Sequence, residues 1–290
     1  MTVQQKQTQV FFERFASDWE SRSKNKKIEL RNTVQQRNNY VLDFIRKNKP
    51  KNFLDVGCGS GELTLLSAKY TKNSIGIDFS NSMIDLCNKK NKRKKVKFIC
   101  DSFFNLNQKK NSFDLISANG FIEYISIDEL FLFLHTCKNL LKKNGILVLS
   151  ARNKLFNLFS LNNFTKSELA NPKSTKILFE ESLKITNLSL KKFIKLKSNL
   201  PLSKLKKQPK TTINVNIRRQ FTPLQLIKLL NKFKFQTKDL HPINYHPVIP
   251  KNFDRDDKNL RKISNYIIKK FPSIDMIPNS SAFMITAKCK

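Results

Sequence analysis

Three glycines and a neighbouring aspartate give the first half of the chain the makings of a ligand site. The run Leu54–Gly61 reads LDVGCGSG and places Gly57, Gly59 and Gly61 directly after a short apolar segment. Glycine adopts backbone angles closed to other residues and lets a ligand approach the main chain closely. Asp55, inside the apolar segment, can accept a hydrogen bond from a ligand ammonium group, directly or through water. Dinucleotide-binding and phosphate-binding proteins also place glycine-rich turns here, so the turn alone leaves the ligand open.

The spacing of the glycines and two later aspartates narrows the choice of ligand. Dinucleotide binders use G-x-G-x-x-G, whereas the third glycine here arrives one residue early, and no Gly-Lys-Ser/Thr of a nucleoside-triphosphate loop follows. Asp78 ends the second apolar run, where a carboxylate can accept two hydrogen bonds from a ribose diol. Asp101 ends the third run and can accept from an adenine amino group. Phe79 and Phe103 are candidates to sandwich the adenine ring, but each is as well explained as a core residue.

These residues require a parallel sheet to bring them together. Short apolar runs alternate with helical segments of about 10–14 residues, which is typical of βαβ units in a sheet covered by helices on both faces. The predicted strands are Phe53–Val56, Ser74–Ile77, Val96–Cys100, Phe113–Ser117 and Gly145–Ser150. The predicted helices between them are Glu62–Tyr70, Asn81–Lys90 and Asp128–Leu141. The fold class predicted for residues 51–150 is therefore α/β, with a doubly wound, mostly parallel sheet.

The flanking segments differ in texture from this core. Residues 1–50 carry apolar residues at helical spacing and are expected to form an N-terminal helical cap. Residues 151–220 break the alternation, and from 152 onward they hold sixteen Lys or Arg against three Glu, which predicts a basic lid insertion. Residues 221–290 return to pattern and are expected to complete the sheet, with Thr222 as a helix N-cap and Pro223 as the first helical residue.

Several motifs in the correct order resemble those of class I S-adenosylmethionine-dependent methyltransferases. They are LDVGCGSGELTLLSAK, GIDFS, FICDSF, FDLISANGFIEYI and KNLLKKNGILVLS, and together they cover roughly residues 50–150. The resemblance implies a Rossmann-like sheet of seven strands whose last strand is antiparallel, a role that suits Ser281–Lys288. It also implies S-adenosylmethionine as cofactor. The N-terminal part is similar to the helices that cover the cofactor in small-molecule members.

The resemblance also assigns residues to parts of the cofactor. The glycine turn with Asp55 would line the methionine end, Asp78 would hold the ribose, and Asn119 with Gly120 would lie beside the methyl donor. Arg37 in the helical cap would pair with the methionine carboxylate. The full set expected to bind the cofactor is Arg37, Asp55, Gly57, Cys58, Gly59, Gly61, Asp78, Phe79, Met83, Asp101, Ser102, Phe103, Asn119 and Gly120.

The catalytic residues are harder to assign. Ubiquinone-biosynthesis O-methyltransferases, which the N-terminal half also resembles, use an acidic residue and a histidine around a metal after the fourth strand. This sequence reads Ile122-Glu123-Tyr124, so Tyr124 replaces the histidine, and we expect no metal site. Glu123 and Tyr124 remain candidates for a base or for substrate positioning. His241 and His246, expected to follow the sixth strand, are the other candidates for a general base.

Composition leaves the partner open. The net charge of +33 and pI of about 10.1 are compatible with nucleic acid, an anionic membrane surface or an acidic substrate. The excess of Lys over Arg, with abundant Asn, Ile and Phe, is equally typical of a very A/T-rich genome. Five cysteines without a C-x-x-C pair indicate neither a disulfide framework nor a zinc site, and we expect a cytoplasmic protein.

The expected function is methyl transfer to a small-molecule, lipid-linked or saccharide acceptor, by direct displacement and onto oxygen. The N-terminal helices, the 151–220 insertion and the 241–280 segment would form the acceptor pocket, with peripheral contact to an anionic membrane. The alternatives are an RNA- or protein-modifying methyltransferase and a non-catalytic binding subunit. Nucleic acid is the less favoured partner, and the sequence does not determine the oligomeric state.

Overall fold

A single mixed sheet organises the chain. A computed structural model describes residues 3–24, 33–202, 209, 215, 218–248 and 258–290. Eight strands lie within these residues: β1 Asn52–Val56, β2 Asn73–Asp78, β3 Val96–Cys100, β4 Phe113–Ala118, β5 Leu141–Asn153, β6 Gln220–Phe221, β7 Phe235–Tyr245 and β8 Ser280–Cys289.

The strand order confirms the expected doubly wound fold. The strands run in the order β3-β2-β1-β4-β5-β8-β7, and β6 pairs with β5 off this path. All pairings among β1 to β6 are parallel, whereas β8 is antiparallel to both β5 and β7. The last strand therefore has the predicted antiparallel direction. The two-residue β6 adds an eighth strand to the seven that were predicted, and nothing in so short a segment marks it as a strand in the sequence.

Helices cover both faces of the sheet. In the described residues they are α1 Val3–Lys24, α2 Thr33–Asn48, α3 Glu62–Ser67, α4 Asn81–Lys90, α5 Ile127–Leu140, α6 Asn163–Leu169, α7 Pro172–Asn187, α8 Leu190–Phe193, α9 Pro223–Lys232 and α10 Lys258–Lys270. Short 3₁₀ turns occur at Phe103–Asn105, Leu155–Leu158 and Ile274–Asn279. None of the helices described in this chain combines the length and apolar character needed to cross a bilayer.

Local capping explains where the helices begin. The Thr222 hydroxyl accepts from the Gln225 N–H at the start of α9, the Gln225 side chain accepts in return from the Thr222 N–H, and Pro223 is the first helical residue, as predicted. Ser126 and Glu129 form the same reciprocal box at the start of α5. These side chains satisfy backbone amides that the first helical turn leaves without partners.

The core has two apolar layers, one on each face of the sheet. Leu147 and Leu149 of β5 belong to the larger layer, whereas Val148 between them belongs to the smaller one, as the two-residue period of a strand requires. The smaller layer is covered by Val41 and Ile45 of α2. A central strand that is apolar on both faces explains why this segment reads as a continuous apolar run.

The basic insertion packs against the larger layer. Leu178 of α7 and Phe193 of α8 are fully buried in it, whereas Leu169 and Phe179 are more than half exposed. The insertion thus has an apolar underside on the core and a solvated outer face. All four predicted segments, 1–50, 51–150, 151–220 and 221–290, contribute to the same sheet or to the layers that cover it. Their division into separate units stays a prediction.

A buried acid fastens the insertion to α9. Glu181 of α7 accepts from the Leu224 N–H at 2.9 Å, at the start of α9. Burial raises the pKa of Glu181 to about 7, against an ordinary value of 4.5. The folded state therefore holds this proton to higher pH than the unfolded chain does.

We expect stability to fall by about 3 kcal/mol between roughly pH 4.5 and 7, since the unfolded chain releases the Glu181 proton first. The Glu181→Gln variant keeps an acceptor for the Leu224 N–H but cannot titrate. Urea denaturation should find it more stable than the wild type at about pH 8 and nearly equal to it at about pH 4.5. Glu180→Gln, at the exposed neighbour, is the matched control, and an equal gain there would refute the assignment.

Candidate functional site

The glycine turn after β1 is tied to the end of β2. The Gly57 and Cys58 amides donate to the Ile77 carbonyl at 2.8 and 3.1 Å, and the Gly59 amide donates to Asp78 Oδ2 at 2.9 Å. Gly57, Gly59 and Gly61 have φ of 67°, 52° and 75°. Side chains rarely adopt these angles, so the turn depends on glycine at each place.

The three glycines have different tasks. A Cβ added at Gly59 would meet nothing within 4 Å, so the absent side chain there leaves open space for a ligand. A Cβ at Gly61 would lie 2.7 Å from Cys87 Sγ and 2.8 Å from the Phe98 ring. Gly61 does not face the cleft described below. Its predicted place at the ligand stays a prediction, and close packing of α3 on its neighbours requires this glycine.

Two carboxylates flank the turn. Asp78 Oδ1 accepts from the Ser80 amide at 3.0 Å while Oδ2 holds Gly59, and burial raises the pKa of Asp78. Asp55 accepts from the Thr64 and Ser117 hydroxyls, both at 2.8 Å. Burial is the main reason that the pKa of Asp55 rises to about 6.

These groups open into a cleft of about 860 Å³. It lies at the carboxyl ends of the parallel strands, where β1 is flanked by β2 on one side and β4 on the other, which is the topological switch point of the sheet. Most of the predicted residues lie on its wall: Arg37, Asp55, Gly57, Cys58, Gly59, Asp78, Phe79, Met83, Ser102, Phe103, Asn119, Gly120, Glu123 and Tyr124.

Asp101 does not lie on this wall, and its contact with an adenine ring stays a prediction. Its exposed carboxylate accepts from the Ser102 amide at 2.6 Å and from Asn105 Nδ2 at 2.8 Å. The carboxylate thus stabilises the turn after β3, while Ser102 and Phe103 form the cleft wall. Phe103 also packs against the core rings of Phe121 and Phe133.

Helix α1 lies across the cleft. Its Gln4 donates to the Tyr124 carbonyl at 2.6 Å, and its Gln9 donates to the Phe79 carbonyl at 3.0 Å. Further along, the Glu13 carboxylate accepts from the Asn81 and Ser82 amides at 2.7 and 3.0 Å, at the start of α4. The N-terminal helix therefore bridges both sides of the cleft.

Asn119 and Gly120 follow β4 at the middle of the cleft. The Gly120 amide donates to Ser150 Oγ at 2.7 Å, and Asn119 Nδ2 donates to Asn38 Oδ1 at 3.3 Å. Among the described residues, buried Asn119 Oδ1 has no hydrogen-bond partner. An acceptor of this kind is costly to leave unpaired, so it marks a place where a ligand donor would fit.

Glu123 lies among three arginines. Its Oε2 is 2.7 Å from Arg218 Nε and 3.9 Å from Arg152 Nε, and its Oε1 is 3.5 Å from Arg37 Nη1. Burial by itself raises the pKa of Glu123, but the three guanidinium charges outweigh it and hold that pKa below its ordinary value. A carboxylate so stabilised is a weak base, and the surrounding positive charge opposes a metal cation.

Tyr124 is the neighbouring candidate. Burial and the Glu123 charge raise its pKa to about 12, so the phenol stays protonated at neutral pH. Its ring packs edge-on against Phe12 and lies 5.6 Å from the Arg218 guanidinium carbon. These contacts favour a positioning role for Tyr124 over proton abstraction.

Neither predicted histidine lies on the described cleft wall. His241 lies inside β7 rather than after it, paired with Met284, and its ring packs 4.9 Å from that of Tyr40 beneath α2. Burial lowers its pKa. His246 does follow β7, but it stacks on Phe156, whose ring lies on the wall. Their roles as general bases stay predictions.

The comparisons with known proteins agree with this geometry. Residues 54–149 match the family described as methyltransferase domain. A ubiquinone biosynthesis O-methyltransferase of Coxiella burnetii is 29% identical over 151 residues, which cover 51% of this chain and 62% of that protein. Residues 54–149 therefore form a methyltransferase domain, and the expected resemblance to class I S-adenosylmethionine-dependent methyltransferases is confirmed. The expected cofactor of this domain, S-adenosylmethionine, is thereby confirmed.

Solved methyltransferase structures share the fold. Magnesium protoporphyrin IX methyltransferase from Synechocystis, with bound S-adenosylhomocysteine, has a TM-score of 0.59 at 13% identity, covering 99% of this chain and 100% of its own. A Burkholderia thailandensis 1,6-didemethyltoxoflavin-N1-methyltransferase, with the same product and 1,6-didemethyltoxoflavin bound, has a TM-score of 0.57 at 13% identity, covering 98% and 88%. At this identity the two structures confirm the Rossmann-like architecture of the methyltransferase.

The cleft wall fits the methyl donor of the family. The Asp55 and Asp78 carboxylates can accept hydrogen bonds from its ammonium and ribose groups. The open space at Gly59 lets a ligand approach the main chain, and Asn119 Oδ1 can accept a further hydrogen bond from it. The individual residue roles stay predictions. Sequence reasoning did not name Arg152 and Arg218 as site residues, because a long basic segment does not show which of its side chains face the cleft.

We expect the Asp78→Ala methyltransferase to lose at least about 100-fold in affinity for S-adenosylhomocysteine, because two ribose acceptors and the tie to Gly59 disappear together. Isothermal titration measures the change. Asp85→Ala, at an exposed position of α4, is the matched control and should bind like the wild type. Unchanged affinity in Asp78→Ala would contradict the ribose assignment.

The affinity for S-adenosylhomocysteine should also fall by about tenfold from roughly pH 7.5 to 5, because Asp55 must be ionised to hold an ammonium group and its pKa is about 6. The sign follows from protonation of the acceptor as pH falls. The Asp55→Asn variant should bind more weakly and lose most of this dependence. A variant with the wild-type pH profile would exclude Asp55 as the titrating group.

Proposed function

We propose that this methyltransferase moves a methyl group from S-adenosylmethionine onto an oxygen of a small amphipathic acceptor by direct displacement. One observation carries the proposal: a single cleft continues from the glycine turn to a wall of arginines and aromatic rings supplied by the insertion. The two ends of this cleft match a donor and an acceptor of different chemistry.

The donor end supports the direction of transfer. Asp55 and Asp78 give it negative charge, which complements the sulfonium and ammonium groups of the donor. The sulfonium makes the methyl group strongly activated, so the enzyme's main task is to align the three reacting atoms and exclude water. Asn119 and Gly120, between the two ends, are placed to border the transferred methyl, and α1 is placed to keep water out.

The acceptor end supports a small amphipathic substrate. Phe12 of α1 and Phe156 and Phe164 of the insertion lie on its wall, beside polar Asn157 and Gln220. Of the segments expected to form an acceptor pocket, α1, α2 and the insertion contribute residues to the cleft wall. The 241–280 segment contributes no described residue to it, whereas Ser281 and Ala282 do. Lipid-linked compounds and saccharides are the candidate classes.

Transfer onto oxygen is supported by the Coxiella burnetii relative, which is named as an O-methyltransferase. An acceptor hydroxyl must lose its proton, and the low pKa of Glu123 and the high pKa of Tyr124 make both poor bases near neutral pH. An acidic hydroxyl, such as a phenol, loses its proton most easily and therefore needs the weakest general base. A cytoplasmic location, consistent with five free cysteines, belongs to the same proposal.

The proposal is tested by labelling. Purified protein is incubated with methyl-labelled S-adenosylmethionine and an extract of the source cells, separated into small-molecule, lipid, RNA and protein fractions. We expect label in the small-molecule or lipid fraction, and none with Asp78→Ala. Transfer to RNA or protein would replace the proposed acceptor class with the alternative one, and binding of the donor without any labelled product would favour a non-catalytic subunit.

A further inference from the structure

The cluster around Glu123 carries more positive charge than its own carboxylate can balance. Three guanidinium groups surround one carboxylate, and the exposed side-chain fractions are 6% for Arg37, 14% for Arg152, 19% for Arg218 and 1% for Glu123. Two positive charges are therefore in excess at a largely buried place. Buried charges are costly unless they are paired, so the cluster is complete only with a further anion.

The two insertion-side arginines are held in fixed positions. Arg152 Nη1 donates to the Arg218 carbonyl at 3.0 Å, and the Arg152 guanidinium carbon lies 5.2 Å from the Phe164 ring centre. Arg218 is fixed by Glu123 and by the Tyr124 ring. Planar guanidinium groups that are fixed in advance lose little entropy on binding a carboxylate or phosphate.

The arginines also differ in their place along the cleft. Arg37 lies against Gly120, since a Cβ there would be 2.9 Å from its Nη1, and its buried Nε has no hydrogen-bond partner among the described residues. Arg152 lies on β5, two strands away from β1, so the backbones of the two strands lie about 10 Å apart across the sheet. Arg37 is thus placed for the donor's carboxylate, and Arg152 and Arg218 are placed for a second ligand.

Burial and the nearby Arg218 charge lower the pKa of Arg152 to about 10, which still leaves it ionised at neutral pH. The carboxylates of the cleft wall other than Glu123 are Asp55, Glu62 and Asp78, none of which pairs with Arg152 or Arg218 in the described part of the chain. The cleft therefore has one end that attracts cations and one that attracts anions.

We propose that Arg152 and Arg218 bind a carboxylate or phosphate group of the methyl acceptor, and that the aromatic wall of Phe12, Phe156 and Phe164 receives its apolar body. The inference rests on the proposed function and narrows its substrate class to anionic amphipathic compounds. The shared chemistry is an oxyanion that accepts from two guanidinium groups. Glu123 holds the pair in place.

The test uses the full-length protein saturated with S-adenosylhomocysteine, so that the donor end, Arg37 included, is occupied. Benzoate and phenyl phosphate are titrated as probes, with benzamide as the neutral compound of the same shape. We expect at least one anion to bind about tenfold or more tightly than benzamide. The arm that binds better tells a carboxylate acceptor from a phosphate acceptor.

Arg152→Gln and Arg218→Gln should each weaken anion binding by about 10- to 100-fold while changing S-adenosylhomocysteine affinity by less than about twofold. Arg218→Lys keeps the charge and should give a smaller loss, which covers the case that the glutamine variant fails to fold. Arg46→Gln removes the same charge from the exposed face of α2 and should have no effect.

Equal binding of benzamide and both anions, anions that bind only without S-adenosylhomocysteine, or an equal loss in Arg46→Gln would each overturn the inference. These outcomes are distinct from failure of the proposed function, which would appear at the first step as a protein that does not bind S-adenosylhomocysteine.

Discussion

The hydrogen bond from the Gly59 amide to Asp78 joins two loops that the sheet alone would leave independent. It ties the turn after β1 to the end of β2, so that the backbone of one and the carboxylate of the other face the same space. The Ile77 carbonyl strengthens this junction by accepting hydrogen bonds from the Gly57 and Cys58 amides. The start of α4 follows directly, and α1 rests on it through Glu13. The donor end of the cleft is thus one connected structure, in which the position of each ligand-facing group depends on the others.

The sheet separates the two kinds of charge. Parallel strands bring all their carboxyl ends to one edge, and neighbouring strands lie about 4.8 Å apart. Asp55 and Asp78 belong to β1 and β2, whereas Arg152 belongs to β5. The order of the strands therefore separates these negative and positive charges. Glu123 is the exception, an acid among the arginines, and it lowers their repulsion without cancelling it. A cationic methyl donor at the acidic end of the cleft and an anionic acceptor at the arginine end would match this order.

The sequence predicted the parts of the fold that depend on local signals. The boundaries of α4 and β3 and the N-cap at Thr222 follow from short-range periodicity and capping, whereas the antiparallel direction of β8 was implied by the family resemblance. Other features of the site depend on contacts between distant segments, which local patterns do not show. Gly61 is set by packing on Phe98, His241 by its pairing with β8, and Glu123 by Arg218, 95 residues away. A pattern read along the chain identifies the residues of a cofactor turn, but it does not say which side chains from an insertion will meet across a cleft.

Helix α1 makes a different kind of contact from the rest of the cleft wall. Gln4 and Gln9 bond to backbone carbonyls, and Glu13 bonds to backbone amides as well as to the Ser82 hydroxyl. Main-chain groups are present whatever residue occupies the position. The cover can therefore remain docked while the side chains beneath it are exchanged by mutation. Substitutions in the acceptor pocket can therefore change substrate preference while α1 still covers the cleft and excludes water.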